Sequence, residues 1–193
     1  MTKKEFGPQP WLFPNPTVLV GTLCDGKTNF APYAWCGIAG GDPPTLSVAI
    51  RHQRHTLKGI LENKTFSVNV PSVDLIRETD YCGMTSGAQV DKAKECGFKV
   101  VFGLLPAAPL IEQCPVNLEC EVLHLLNLGL HMLVIGKIVQ SHVSEDCLTE
   151  GQPDIMKIKP FVYSRGPAAR YNAVGEVLGV AYNIGKEMKG EKF

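Results

Sequence analysis

Apolar positions in this chain come mostly in short runs of strand period, interrupted by a few stretches of helical period. From Thr17 the run VLVGTLC reaches Asp25-Gly26 and a second run follows it. Asp-Gly tolerates the left-handed backbone of a type I′ turn, so the pattern predicts an antiparallel hairpin. TLSVAI reads as a third strand, introduced by Pro43-Pro44, which block helix before it. In HTLKGILENK the period changes: Leu57, Ile60 and Leu61 recur at helical spacing, and Thr56 stands where an N-cap is expected. TFSVNVP returns to alternation through Phe66, Val68 and Val70 and stops at Pro71.

SVDLIRETDYCG predicts a short helix capped by Ser72, and GMTSGAQVDKAKECG a loop followed by a turn or two of helix. VNLECEVLHLLNLG and HMLVIGKIVQSHV carry no helical stripe across their length; they predict a long antiparallel ribbon turning near Asn127 to Gly129. The tail, PFVYSRGPAARYNAVGEVLGVAYNIG, is expected to be mostly irregular with one more strand. Strands outnumber helices, and the helices interrupt rather than alternate with them. The expected fold is therefore mostly β with helical insertions, an antiparallel barrel with helices over its ends. The 193 residues show no repeat or compositional break, so one domain over 1–193 is expected.

Charge narrows the class of partner. Lys plus Arg and Asp plus Glu both total 19, which leaves no broad field for nucleic acid or an anionic membrane. The start, MTKKEFGPQPWLFPNP, has no apolar segment behind its lysines, and no run approaches bilayer length, so a soluble cytoplasmic protein is expected. Seven cysteines without a CxxC pair read as reduced thiols.

Against that neutral background VAIRHQRHT is conspicuous, with Arg51, His52, Arg54 and His55 directly before the helical pattern. A helix N-terminus offers unpaired amides and the positive end of its dipole, and arginine grips phosphate with parallel hydrogen bonds. An anion site and a solvated basic loop paired with carboxylates both fit the pattern. NFAPYAWCGIAGGDPP combines Asn29, Pro32 and Trp35 with small residues, which suits the edge of a planar conjugated ring; a bent strand with a core tryptophan fits it too. No GxGxxG or GxxxxGK[ST] is present, so the usual dinucleotide and P-loop devices have no support. No second Cys/His pair has zinc spacing, and no metal site is expected.

NFAPYAW, DPPTLSVAIRHQRHT and TDYCGMTSGAQVDK, in this order, resemble the successive motifs of the flavin reductase-like FMN-binding family, closest to its flavoredoxin branch. The resemblance runs from Trp11 to ARYNAVG. It implies an FMN-binding split barrel of Greek-key type, usually a homodimer with flavin near the subunit interface. It also implies that Arg54, His55 and Thr56 lie near the FMN phosphate, with Arg51 close by. Asn29, Ala31, Pro32 and Trp35 would border the isoalloxazine and ribityl chain, and Lys92 would approach the cofactor. Many members have Gly-Asp-His before the late strand; here Gly129-Leu130-His131 keeps the histidine without the acid. His131 is carried over as a flavin-proximal residue, with an ordinary nicotinamide role in doubt.

The function implied is an FMN oxidoreductase that retains its flavin, a flavoredoxin-type electron carrier taking electrons from NAD(P)H or a redox protein. An NAD(P)H-dependent flavin reductase and a non-catalytic FMN-binding or sensing module are the alternatives. No protein acid, base or nucleophile is required when the flavin carries the chemistry, so catalytic residues are left unassigned.

Overall fold

A computed structural model describes residues 2–166 and 168–189. The expected hairpin is formed by β1 (Val18–Cys24) and β2 (Lys27–Tyr33), paired from Val18 with Tyr33 to Cys24 with Lys27. Asp25 and Gly26 sit at φ of 50° and 74°, the left-handed pair of a two-residue I′ turn. The chain then bends at Ala34-Trp35 and resumes as β3 (Cys36–Gly41), followed by β4 (Pro44–Arg51). This is the bent strand weighed above, but Trp35 is not a core residue: 39% of it is exposed. α1 (His55–Asn63), β5 (Thr65–Val70), α2 (Ile76–Met84) and α3 (Lys92–Glu95) follow, and β6 (Val116–Asn127) with β7 (His131–Val143) make the long ribbon.

The seven strands are ordered β2-β1-β5-β6-β7-β4-β3, with every neighbouring pair antiparallel. Ala31 and Tyr33 from one edge share an apolar cluster with Leu46, Val48 and Ile50 near the other edge, and with Phe66, Val68, Cys120 and Val134 between them. Residues so far apart in sheet order can meet only if the sheet curls on itself, which makes a barrel open along one seam. α1 closes an end with Leu57 and Ile60. It can approach because Gly59 has no side chain: a Cβ there would lie 2.3 Å from the Leu23 carbonyl oxygen. Leu61, expected on the same stripe, instead faces outward and is 38% exposed.

Thr56 is not the N-cap. Arg54 takes that position with extended backbone and no side-chain cap bond, so Thr56 lies inside the first turn. Ser72 does cap its segment: its hydroxyl accepts from the Asp74 amide at the start of a 3₁₀ turn, Val73–Leu75, that leads into α2.

A second apolar cluster lies outside the barrel wall, where Leu19 and Phe30 of the β1–β2 hairpin meet Cys82 of α2, Ala93 of α3, and Phe98, Ile111 and Cys114. The tail has more order than expected. Phe161–Ser164 pairs with both Arg170–Ala173 and Asn15–Pro16, giving a small three-stranded sheet. Tyr171 ties it to α2 by donating its hydroxyl to Asp80 Oδ1 at 2.8 Å. Among the described residues, no helix is long and apolar enough to cross a membrane.

Candidate functional site

Strand alternation decides which residues of the NFAPY motif meet α1. Asn29 and Ala31 point to one side of β2, and Phe30 and Pro32 to the other. Phe30 joins the outer cluster, and Pro32 packs toward α2, where a Cβ on Gly83 would lie 3.0 Å from its ring. Pro32 therefore does not join Asn29. Asn29 and Ala31 meet Gln53, Arg54, His55 and Thr56 at the start of α1, and Thr85, Ser86, Gly87 and Lys92 from the α2–α3 connection, around a cup of about 330 Å³. This cup brings together six of the sequence-derived candidates, Asn29, Ala31, Arg54, His55, Thr56 and Lys92.

The cup is polar, buried and rigidly built. Asn29 and Thr56 are 2% and 1% exposed, and Asn29 Nδ2 donates to Thr56 Oγ1 at 2.9 Å, tying β2 to α1. Asn29 Oδ1 is buried without a hydrogen-bond partner, a costly state unless something donates to it. Lys92, 3% exposed, donates from Nζ to the carbonyls of Phe30 at 3.0 Å and Cys82 at 2.7 Å, which leaves one of its three N–H bonds for the cup. Burial pushes the Lys92 ammonium below the usual lysine range; Cys82 opposes the shift and Arg54 adds to it. No acidic residue stands in the first turn of α1 to repel an anion.

Gly87 closes the wall. A Cβ at that position would fall 1.9 Å from Asn29 Oδ1 and 3.3 Å from the His55 ring, so only glycine lets this loop approach. Thr85, Ser86, Gly87 and Gln53 are lining residues that sequence reasoning did not single out. The first three stand inside TDYCGMTSGAQVDK, where adjacent hydroxyls and a glycine shortly before a lysine were the available signal.

Of the four remaining candidates, Trp35, Arg51 and His131 gather in a second cavity of about 400 Å³, which Ala34, Ala49, Arg54, Tyr163 and Arg165 also line, while Pro32 lies against α2 and joins neither. Arg54 borders both cavities. Arg51 and His131 face each other as register partners across β4 and β7, and the Trp35 ring lies 4.9 Å from that of His131 at 44°. His131 is held below the ordinary histidine range by burial, then by Arg51 and His52, which favours the neutral imidazole at neutral pH. Leu130, in place of the family's acid, is 59% exposed; Asn127 orders the turn by accepting from the Gly129 amide at 3.0 Å.

A curled antiparallel sheet open along one seam, with a polar cup where its first hairpin meets the first helix, defines a split-barrel protein. Comparison with known proteins agrees: residues 11–170 match the family model described as "Flavin reductase like domain", and the chain belongs to that family. The crystal structure of flavoredoxin from Methanosarcina acetivorans superimposes with a TM-score of 0.92 at 34% identity, covering 97% of this chain and all of that one. Flavoredoxin of Desulfovibrio vulgaris (Miyazaki F) gives 0.89 at 34% identity, covering 95% of this chain and 100% of its own. An uncharacterized protein of Archaeoglobus fulgidus is 33% identical over 146 residues, 75% of this chain and 81% of its own length.

Proposed function

We propose that this protein retains FMN and works as a flavoredoxin-type electron-transfer protein. The observation that carries the reading is the buried cup at the start of α1, where Asn29, Thr56 and Lys92 present polar atoms that the fold itself leaves partly unused. The residues present fit a phosphate ester with a polar chain behind it. Arg54 and the Lys92 ammonium would neutralise the phosphate, Thr56, Thr85 and Ser86 would supply hydroxyls, and the first turn of α1 would supply its dipole. Trp35 and His131 would border the ring system from the second cavity, which continues from the cup past Arg54. The two flavoredoxins, each at 34% identity over nearly the whole chain, support this choice.

Bound FMN supplies reversible one- and two-electron redox chemistry. The chain's own part is to hold and orient. Lys92 is fixed by two carbonyls before any ligand arrives, and Thr56 is fixed by Asn29, so little side-chain freedom is lost on binding. His131 lies among cations and has no carboxylate beside it in the Gly129-Leu130-His131 turn, which favours electron exchange with a redox partner over an ordinary nicotinamide site. The same reading has two copies associate, in keeping with Leu126, Leu128 and Leu130 left exposed at the end of the β6–β7 ribbon.

The test is the visible spectrum of purified protein through gel filtration, followed by anaerobic addition of NADH, NADPH and then a low-potential reductant. Flavin bands that travel with the protein, survive both nicotinamides and bleach with the reductant are expected. Colourless protein refutes FMN retention, and rapid bleaching by NADH or NADPH replaces the carrier with a flavin reductase.

A further inference from the structure

Outside both cavities, the two ends of the α2–α3 segment carry a pair of thiols that electron transfer through a flavin does not use. Cys82 stands on α2 and Cys96 directly after α3, and their sulfurs lie 3.8 Å apart. All seven cysteines are free, and these two are in direct contact. Cys82 is 1% exposed, whereas Cys96 is only half-buried, so one sulfur can meet a small solute while the other is sheltered beside it. A disulfide spans about 2.0 Å, and side-chain rotation at the two cysteines can close the remaining gap of less than about 2 Å.

The surroundings set the resting state of the pair and its reach. Burial pushes the Cys82 thiol up to about 12 and raises Cys96 as well, while Lys92 opposes the shift at both. Both are protonated at neutral pH, so the pair rests as a dithiol. Cys96 Sγ donates to the Glu78 carbonyl at 3.7 Å, one turn before Cys82, which holds it against α2. The Cys82 carbonyl in turn accepts from Lys92 Nζ at 2.7 Å. Thr85, Ser86, Gly87 and Lys92, all between the two cysteines, line the cup. A bond joining residues 14 apart would close this whole wall of the cup into a covalent loop.

We infer that Cys82 and Cys96 form a redox site, a dithiol that hydrogen peroxide converts reversibly to a disulfide, fastening the α2–α3 wall of the cup. The Cys96 sulfur attacks one peroxide oxygen, the O–O bond breaks, water leaves, and Cys96 becomes a sulfenic acid. The Cys82 sulfur then attacks the Cys96 sulfur; the S–O bond breaks, and the hydroxyl leaves with the Cys82 proton as a second water. The pair has lost two electrons and two protons, and the peroxide has become two waters. A dithiol reductant reverses the change by thiol–disulfide exchange. The effect on flavin release rests on the reading that FMN fills the cup; formation of the bond does not.

The experiment treats flavin-loaded protein with hydrogen peroxide, maps its cysteines by mass spectrometry of a non-reduced tryptic digest, and times FMN release on dilution by flavin fluorescence. Trypsin places Cys82 in peptide 78–92, Cys96 in 95–99, and Cys114 with Cys120 in 100–137. The expected product is 78–92 joined to 95–99, with FMN release slowed at least about tenfold and both changes undone by dithiothreitol. That reversal separates the disulfide from oxidation of Met84, 78% exposed in the same peptide, which dithiothreitol leaves in place. Cys96→Ser, at the more exposed of the two positions, should form no link and lose the redox dependence of release. A link that forms only in urea overturns the inference, as do a link from 78–92 to 100–137, oxidation of Cys96 to the sulfinic acid without a link, and a release rate that oxidation leaves unchanged. Protein that never holds flavin refutes the proposed function instead, and the linked peptide still reads the dithiol.

Discussion

The two cavities share Arg54 but are built on opposite plans. The cup uses side chains that are almost wholly buried and already bonded to the fold, with Asn29, Thr56 and Lys92 2%, 1% and 3% exposed. The arginine cavity uses the exposed ends of long side chains, Arg51 and Arg165 among them, with one half-open aromatic ring. Buried donors have lost their water and their rotamer freedom during folding, so a matching ligand loses little more on binding and is held for long. Exposed guanidiniums keep both, and so hold a ligand less firmly. On the proposed function, the difference separates the buried end that would anchor the phosphate from the open side on which the flavin ring would meet solvent or a partner.

Breaking the cup should cost most. Arg54→Ala combined with Thr56→Ala is expected to weaken FMN binding by about 3 kcal/mol, because a charge-assisted contact and a hydroxyl disappear together, while riboflavin, lacking the phosphate, loses much less. Calorimetry with both flavins checks this, and equal losses would contradict the phosphate anchor. Gly87→Ala comes next. Its Cβ would have to displace Asn29 Oδ1, 1.9 Å away, so the loop must retreat and FMN affinity should fall by about 2 kcal/mol with a lower melting temperature.

The third expectation concerns pH. Lys92 titrates below the lysine value of 10.5, burial being the main cause. The unfolded chain keeps that proton longer, so without flavin Lys92 makes stability rise with pH between its lowered value and 10.5. FMN affinity runs the other way, falling by up to about tenfold as the ammonium is lost; Lys92→Gln should flatten that limb. The smallest effect is expected at Ser86→Ala. Its hydroxyl already accepts from the Ala88 amide at 3.3 Å, and its removal should cost FMN about 0.5–1 kcal/mol.

Much of this arrangement could be read from the chain. The Asp25-Gly26 turn, the alternation in TFSVNV and the long ribbon are local signals, and each appears where expected. Cap preference is a local rule and points to Thr56, whereas its hydroxyl is engaged across the fold by Asn29, 27 residues earlier. Cys36–Gly41 and Phe161–Ser164 form local hairpins with Pro44–Arg51 and Arg170–Ala173, but the glycines of CGIAGG and the Gly-Pro of YSRGPAAR weaken their strand signal, and the pairing of Phe161–Ser164 with Asn15–Pro16 spans almost the whole chain. Pro32 shares its motif with Asn29 and Ala31, and only strand period separates it from them. Thr85 to Gly87 carry a weak local signal in their hydroxyls and glycine before Lys92, whereas Arg165 becomes visible only once folding brings the tail beside β4.

The two apolar clusters, one inside the barrel and one beneath α2 and α3, divide the molecule into units that can open separately. The cup draws Asn29, Arg54 and Thr56 from the barrel side, and Ser86, Gly87 and Lys92 from the outer layer. A bound flavin would therefore act as a rivet between two foldons. Amide hydrogen exchange in α2 and α3 should be fast relative to the barrel strands in the flavin-free protein, and slow toward the barrel's rate once FMN is bound. The lifetime of the cofactor would then be set by the opening of that outer layer while the barrel stays folded.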